Sequence, residues 1–227
     1  MLKWIVSGSE PVVMLENVPL FSGLRKPELA TIDRHTVAKT FPAHTVILRE
    51  REKSDSLYII LYGKVKVYVS EKDGNEVILN IQGRGDFFGE MALLDEVPRS
   101  ASVMTMEPTR LTIMTKAAFR ECLAAHPDIA YALIRMLTQR VRALTENVRN
   151  LALLDVYGRV ARTLLHLATP SGDKLIVEQK LTHQEIANMV GASREMVSRI
   201  LKDLANKGHI TVERKRITIN KKLSTVC

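Results

Sequence analysis

Residues 181–204 leave the chain few local alternatives. Thr182 followed three residues later by Glu185 is the spacing of a helix capping box, in which hydroxyl and carboxylate each accept from a backbone N–H of the other. Ile186, Ala187 and Val190 give that helix an apolar face, and Gly191 supplies the left-handed residue that ends it. Ser193 is suited to cap a second helix, whose Met196, Val197, Ile200, Leu201 and Leu204 are expected to face inward. Ala187, Gly191 and Val197 stand in the relation a helix-turn-helix needs. A small residue lets the helices approach, a glycine turns the chain, and a branched residue packs the second helix back.

The outward face of the second helix then carries Ser193, Arg194, Glu195, Ser198, Arg199 and Lys202. An arginine in the major groove holds guanine O6 and N7 in a fork, and a glutamate accepts from cytosine N4. Thr182 and Ser193, near helix N-termini, suit phosphate contacts, which position a protein without reading sequence. Beyond them, residues 210–213 and 216–219 flank Arg214 and Lys215 as a basic wing. The charge distribution agrees: of 33 Lys+Arg and 25 Asp+Glu, thirteen and seven lie from Asp155 onward. Most of the net +8 therefore sits in the last third of the chain, as expected of a part that meets double-stranded DNA. The competing reading is a helical hairpin with a solvated, charged outer face.

Two other textures precede this one. Residues 40–113 read as short strands between turns. Residues 56–62 form an apolar run closed by Gly63, residues 64–69 alternate, and residues 72–75 make a hairpin turn before residues 76–81 resume the strand pattern. Such spacing implies a small barrel or sandwich, with a weak helix over residues 26–35 ahead of it. A long helix starts near Pro127, with apolar side chains at Ala130, Leu133, Leu137, Val141, Leu144, Val148 and Leu151. Steps of 3 and 4 keep these on one narrow stripe, the pattern of a two-stranded dimer seam or of plain core packing. A helix over residues 156–168 follows, stopped by Thr169, Pro170, Ser171, Gly172 and Asp173, with a short strand at residues 175–177.

Several function classes are disfavoured. Two cysteines, Cys122 and Cys227, make neither a disulfide framework nor an iron–sulfur ligand set. The six histidines (His35, His44, His126, His166, His183, His209) show no metal-binding spacing, so no metal ligand is expected. The longest uncharged run, residues 163–172, is too short to cross a bilayer, and the start at Met1 has no signal-peptide core, so a cytoplasmic setting is expected. Neither a nucleophile–base pair at recognisable spacing nor a Walker-type loop is present, so no catalytic residue is assigned and the chain is not expected to be an enzyme.

The remaining cluster is Phe88, Gly89, Glu90 and then Arg99, Ser100, Ala101. A turn, a short helical stretch over residues 90–94 and a strand from Ser100 would set Arg99 and Ser100 beside backbone N–H groups, a phosphate-holding arrangement. An ordinary surface salt bridge is the alternative. Together with the order of strands, long helix and helix-turn-helix, these residues resemble the CRP/FNR family of bacterial regulators over nearly the whole chain. Residues 151–156, Gly158, Arg159, residues 163–165 and residues 191–195 resemble the family's hinge and DNA-binding domain.

The resemblance implies an α+β chain: a cyclic-nucleotide-binding β-barrel of jelly-roll type (1–126), a dimerisation helix with its hinge (127–154), and a winged helix-turn-helix DNA-binding domain (155–227). It implies that Arg99, Ser100 and Ala101 meet a cyclic phosphate and that Glu90 and the Gly89 backbone hold a ribose hydroxyl. It further implies that Arg194, Glu195 and Arg199 read a TGTGA-like half-site as a homodimer. The implied effector is a cyclic nucleotide, cAMP favoured, with cyclic di-GMP or an effector-free protein as alternatives. Where cAMP-responsive members carry two consecutive hydroxyl residues toward adenine, this chain has Leu144 and Thr145, so Thr145 alone is the implied base contact. RNA polymerase is a partner of the family, but the loop after Ala168 is shorter than in those members.

Overall fold

The computed structural model describes residues 15–71, 73–172, 174–179, 181–213, 216–221 and 223. The chain divides into two compact units, residues 1–70 with 79–139 and residues 71–78 with 140–227. Lys72 of the expected hairpin turn, the wing tip Arg214–Lys215, and Cys227 lie outside the described residues.

The first unit begins with a 3-10 turn (Pro19–Phe21) and helix α1 (Lys26–Arg34). Strands β1 (Thr36–Phe41), β2 (Val46–Leu48), β3 (Ser56–Tyr62), β4 (Val65–Ser70), β5 (Glu76–Gln82), β6 (Phe87–Phe88), β7 (Ser102–Thr105) and β8 (Thr109–Thr115) follow, with the short helix α2 (Met91–Leu94) between β6 and β7. They form two four-stranded sheets, in the orders β1-β8-β3-β6 and β2-β7-β4-β5. Strand β3 shows why residues 56–62 read as continuously apolar. Leu57, Ile59 and Leu61 pack outward against Phe21, Leu29, Phe119 and Leu133, whereas Ile60 joins Leu48, Val65, Phe88, Val103 and Leu111 in a second core. Alternate side chains thus serve two different layers, and each fully buried one contributes about 1.5–3 kcal/mol. Strand β4 departs from its expected alternation: Tyr68 is buried while Val67 and Val69 are only half-buried. Tyr68 accepts the Lys66 ammonium over its ring at 4.6 Å.

Helix α3 (Lys116–Ala125) is capped by Thr115, whose hydroxyl accepts from the Ala118 N–H at 3.2 Å. Helix α4 (Pro127–Leu153) is the long helix. Its apolar stripe divides into two parts. Ile129 and Leu133 are buried in the first unit's core, with Leu137 packed against it, because α1, α3 and β3 present apolar faces there. Farther along, Val141, Leu144, Val148 and Leu151 are exposed. A second exposed line, Tyr131, Ile134, Thr138, Val141, Thr145 and Val148, keeps steps of 3 and 4 through both parts.

In the second unit, α5 (Val156–Leu167) follows α4 after two residues and is capped by Asp155, whose carboxylate accepts from the Gly158 N–H at 2.7 Å. Strands β9 (Thr169–Ser171), β10 (Lys174–Val177), β11 (Ile210–Glu213) and β12 (Arg216–Ile219) form an antiparallel sheet in the order β11-β12-β10-β9. The breaker residues after Ala168 end the helix and turn the chain, and Thr169–Ser171 pairs with β10, which satisfies their backbone in a hairpin. Helices α6 (His183–Val190) and α7 (Arg194–Asn206) complete the unit over a core of Val160, Leu164, Ile186, Ala187, Val190, Val197, Leu201 and Leu204. No helix among the described residues is long and apolar enough to cross a membrane.

Candidate effector site and nucleic-acid interface

The cassette between β6 and β7 is built around one buried cation. Arg99 is 4% exposed, and no other lysine or arginine is buried among the described residues. Its Nη1 donates to the Gly89 carbonyl, and its Nη2 donates to Ser54 Oγ at 2.6 Å and to the Ser56 carbonyl at 2.7 Å. Its Nε is buried without a hydrogen-bond partner. The backbone around it is fixed by the Arg99 N–H donating to Glu52 at 3.0 Å and by the Arg51 N–H donating to the Arg99 carbonyl at 2.8 Å. Burial pushes the guanidinium below the ordinary arginine range; Tyr58 and the Glu90 and Asp55 carboxylates act against that.

The hydrogen bonds of this guanidinium go to neutral oxygens and its Nε has no partner, so an anion is the chemical class that would complete its bonding. Gly89 is required for the approach: at φ +88°, a Cβ there would stand 2.7 Å from Arg99 Nη1 and 2.9 Å from the Ser56 oxygen. Glu90, 3% exposed, is the residue ahead of α2 and accepts through its carbonyl from the Leu93 and Leu94 N–H groups, which starts that helix. Ala101 is buried and Ser100 exposed, with its hydroxyl 3.7 Å from Met91 Sδ. Strand β7 begins at Ser102, two residues later than expected, so Ser100 lies in the loop ahead of it. Gly89, Glu90, Arg99, Ser100 and Ala101 are thus on one short stretch around α2. Thr145 is on α4, where its exposed hydroxyl donates to the Val141 carbonyl at 2.9 Å.

Sequence reasoning missed the residues that hold Arg99. Ser54 and Ser56 lie 45 and 43 positions away in the chain, so no local pattern marks them. It also missed Glu96, which takes Lys116 Nζ at 2.7 Å and Arg120 Nη2 at 2.9 Å and so ties the cassette loop to α3. Those two cations hold the Glu96 carboxyl below its ordinary range.

The helix pair is formed as its sequence specifies. Thr182 Oγ1 accepts from the Glu185 N–H at 3.1 Å, and the Thr182 N–H donates back to the Glu185 carboxylate at 2.6 Å. Gly191 takes φ 62° and ψ 54°, and Ser193 Oγ accepts from the Met196 N–H at 3.2 Å. Arg194, Glu195 and Arg199 are exposed along α7, and their side chains make no hydrogen bond or ion pair with other described residues. Two expectations change. Met196, read as inward, is 39% exposed because Val197 and Ile200 take the helix's buried face. Ser198, read as a free outward group, bonds His183 Nδ1 at 2.7 Å and so fastens α7 to the first turn of α6. Strands β11 and β12 pair with Glu213 opposite Arg216, forming the arms of the expected wing.

A family model described as a cyclic nucleotide-binding domain matches residues 38–126, and one described as a Crp-like helix-turn-helix domain matches residues 158–222. A CRP-like cAMP-activated global transcriptional regulator from Mycobacterium tuberculosis is 38% identical over 211 residues, covering 91% of this chain and 94% of the relative. The chain belongs to the CRP/FNR family. Another relative, the cAMP-activated global transcriptional regulator CRP of Escherichia coli, is 35% identical over 201 residues, covering 85% of this chain and 94% of that one. Among solved structures, the c-di-GMP-responsive global regulator CLP of Xanthomonas campestris is similar with a TM-score of 0.76 at 26% identity, covering 87% of this chain and all of the other. As a CRP/FNR protein, the chain is a DNA-binding transcription regulator with a cyclic-nucleotide-binding domain. The Arg99 cassette lies inside the first matched segment, and the α6–α7 pair lies inside the second.

Proposed function

We propose that this chain is a homodimeric regulator in which cAMP, bound at the Arg99 cassette, controls affinity for a palindromic TGTGA-like operator. The observation that carries the effector reading is the buried Arg99 guanidinium, the one buried cation among the described residues, with an unpartnered Nε beside Glu90. One buried cation matches the one phosphate charge of a cyclic mononucleotide, whereas cyclic di-GMP brings two. In this reading Arg99 and Ser100 bind the cyclic phosphate beside Ala101, and Glu90 and the Gly89 backbone take the ribose hydroxyl. Thr145 contacts the base. The relatives named for cAMP activation support the same choice.

The dimer runs along α4. The exposed line Tyr131, Ile134, Thr138, Val141, Thr145 and Val148 has the 3-and-4 spacing of a two-stranded seam. A two-fold dimer sets its recognition helices about 34 Å apart, one turn of DNA, so its operator is palindromic. On α7, Arg194, Glu195 and Arg199 read base edges, while Thr182 and Ser193 meet phosphates. The protein acts in the cytoplasm and catalyses no reaction, and RNA polymerase is a candidate partner at promoters.

Calorimetric titration of the purified protein with cAMP and, separately, cyclic di-GMP tests the effector. The proposal expects saturable cAMP binding at one site per chain and much weaker binding of cyclic di-GMP. The reverse order of affinities would replace cAMP by cyclic di-GMP, and binding of neither would leave an effector-free regulator.

A further inference from the structure

The cassette loop ahead of Arg99 is ordered by an ion pair rather than by burial. Residues 94–98 are all exposed. Within the loop, Asp95 Oδ1 accepts from the Val97 N–H at 3.1 Å. Among the described residues, Glu96 is the one side chain of this stretch that bonds to another element, through Lys116 Nζ at 2.7 Å and Arg120 Nη2 at 2.9 Å. Its backbone takes φ 61°, in the left-handed region. A residue with a Cβ stays in that region only where its surroundings hold it there.

The two cations stand one turn apart on the same face of α3. Lys116 is the first residue of that helix, whose positive end disfavours a cation. The first turn of α3 has no acidic residue of its own, so Glu96 brings the negative charge in from the cassette.

The same lysine is tied to the partners of Arg99. Its N–H donates to the Asp55 carbonyl at 2.8 Å, between Ser54 and Ser56, which take Arg99 Nη2. The contacts close a ring. Arg99 bonds Ser54 and Ser56, Asp55 bonds Lys116, Lys116 pairs with Glu96, and three residues of chain lead back to Arg99. The buried guanidinium and the loop that precedes it are therefore fixed to one place, where the start of β3 meets the start of α3.

We infer that Glu96 is a positioning residue of the effector site: clamped between Lys116 and Arg120, it sets the cassette loop in the conformation that presents Arg99 and Ser100 to the cyclic phosphate. It touches no ligand itself. A loop that is already ordered loses less freedom on binding, and the difference enters the affinity. The clamp is exposed and is screened by salt, whereas the buried guanidinium is screened much less. The inference rests on the proposed binding of the cyclic phosphate at Arg99.

The test is calorimetric titration of the full chain with cAMP at low and at high NaCl. It compares the wild type with Glu96→Gln, Glu96→Gly, Lys116→Met and the double variant of Glu96→Gln with Lys116→Met, and Arg99→Ala is the control for the site. Thermal unfolding accompanies each variant to establish that it is folded. Glu96→Gln keeps the side-chain volume and the left-handed backbone and removes the charge; it is expected to weaken cAMP binding about three- to tenfold at low salt. Lys116→Met should weaken it in the same direction, and the double variant little further, because both changes break one clamp. Glu96→Gly relieves the backbone, so its unfolding temperature should not fall while its cAMP affinity does. The readout that a general loss of stability would not move is the salt profile: the gap between wild type and Glu96→Gln closes at high NaCl. Wild-type affinity in Glu96→Gln and Lys116→Met at low salt, or a gap independent of salt, would overturn the inference and leave Arg99 as the effector site. Binding of cAMP that survives Arg99→Ala undiminished, or that is absent from the wild type, would remove the site and the inference together.

Discussion

Arg99 in the cassette and Arg194 on α7 are the same side chain put to opposite uses. Arg99 is 4% exposed and surrounded by oxygens of its own chain, drawn from Ser54, Ser56 and Gly89. Arg194 and Arg199 stand exposed with no partner among the described residues. A polyanion the size of DNA reaches such groups without the protein opening, and its affinity is set by phosphates and base edges outside the fold. A small anion at Arg99 instead meets a guanidinium whose other nitrogens hold β3 to the cassette, so binding there is coupled to the conformation of the chain. The difference separates a reader from a sensor: one is presented in advance, the other is tied into the structure it has to change.

The largest test of that contrast is Arg99→Ala. Truncating one partner of a desolvated, hydrogen-bonded charge pair costs roughly 2–5 kcal/mol. The cAMP affinity should therefore fall about 30-fold or more by calorimetry, at 1.4 kcal/mol per tenfold. DNA affinity measured without effector should stay near wild type. Unchanged cAMP binding would mean that the buried guanidinium is structural.

Arg194→Ala should show the opposite profile. It is expected to lose about 1–3 kcal/mol of operator affinity and to relax preference at one base position, with cAMP binding intact. If competition against a set of single-base operator variants showed equal weakening for all, Arg194 would be a phosphate contact instead.

Two glycines sharpen the comparison at smaller scale. Gly191→Ala puts a side chain at φ 62°, costing about 1–2 kcal/mol, while its Cβ meets only the Leu151 side chain at 3.8 Å. It should lower the unfolding temperature and leave cAMP affinity unchanged. Gly89→Ala adds a Cβ 2.7 Å from Arg99 Nη1, so it should displace the guanidinium and weaken cAMP binding at least tenfold. Equal cAMP affinities for the two variants would contradict the tight packing of the cassette. The smallest effect belongs to Thr182→Ala, which removes the capping box for about 1 kcal/mol of stability, seen in denaturant unfolding.

The same contrast explains what could be read from the sequence. Everything that shapes the helix-turn-helix lies within a few residues of its effect: Thr182 with Glu185, Ser193 with Met196, and Gly191 at its own turn. Local chemistry therefore located it. The cassette glycine and arginine were visible as residue types, but the partners that bury Arg99 come from Ser54 and Ser56 on and before β3. Strand pairing across the chain is not written in any window.

The stripe on α4 shows a third case. Its spacing was legible, but which half packs on the chain's own core depends on α1, α3 and β3, so Leu133 is buried and Val148 exposed on the same pattern. Ser198 and Met196 exchanged their expected roles for a similar reason. A neighbouring histidine claimed one, and the position of the buried face exposed the other.

In the proposed function the sensor and the reader work as one device. It is tested most directly by fluorescence anisotropy of a labelled TGTGA palindrome titrated with the protein at fixed salt, first without cAMP and then at saturating cAMP. The expected affinity is at least tenfold higher with cAMP bound. Identical curves with and without the nucleotide, under conditions where calorimetry shows it bound, would contradict it.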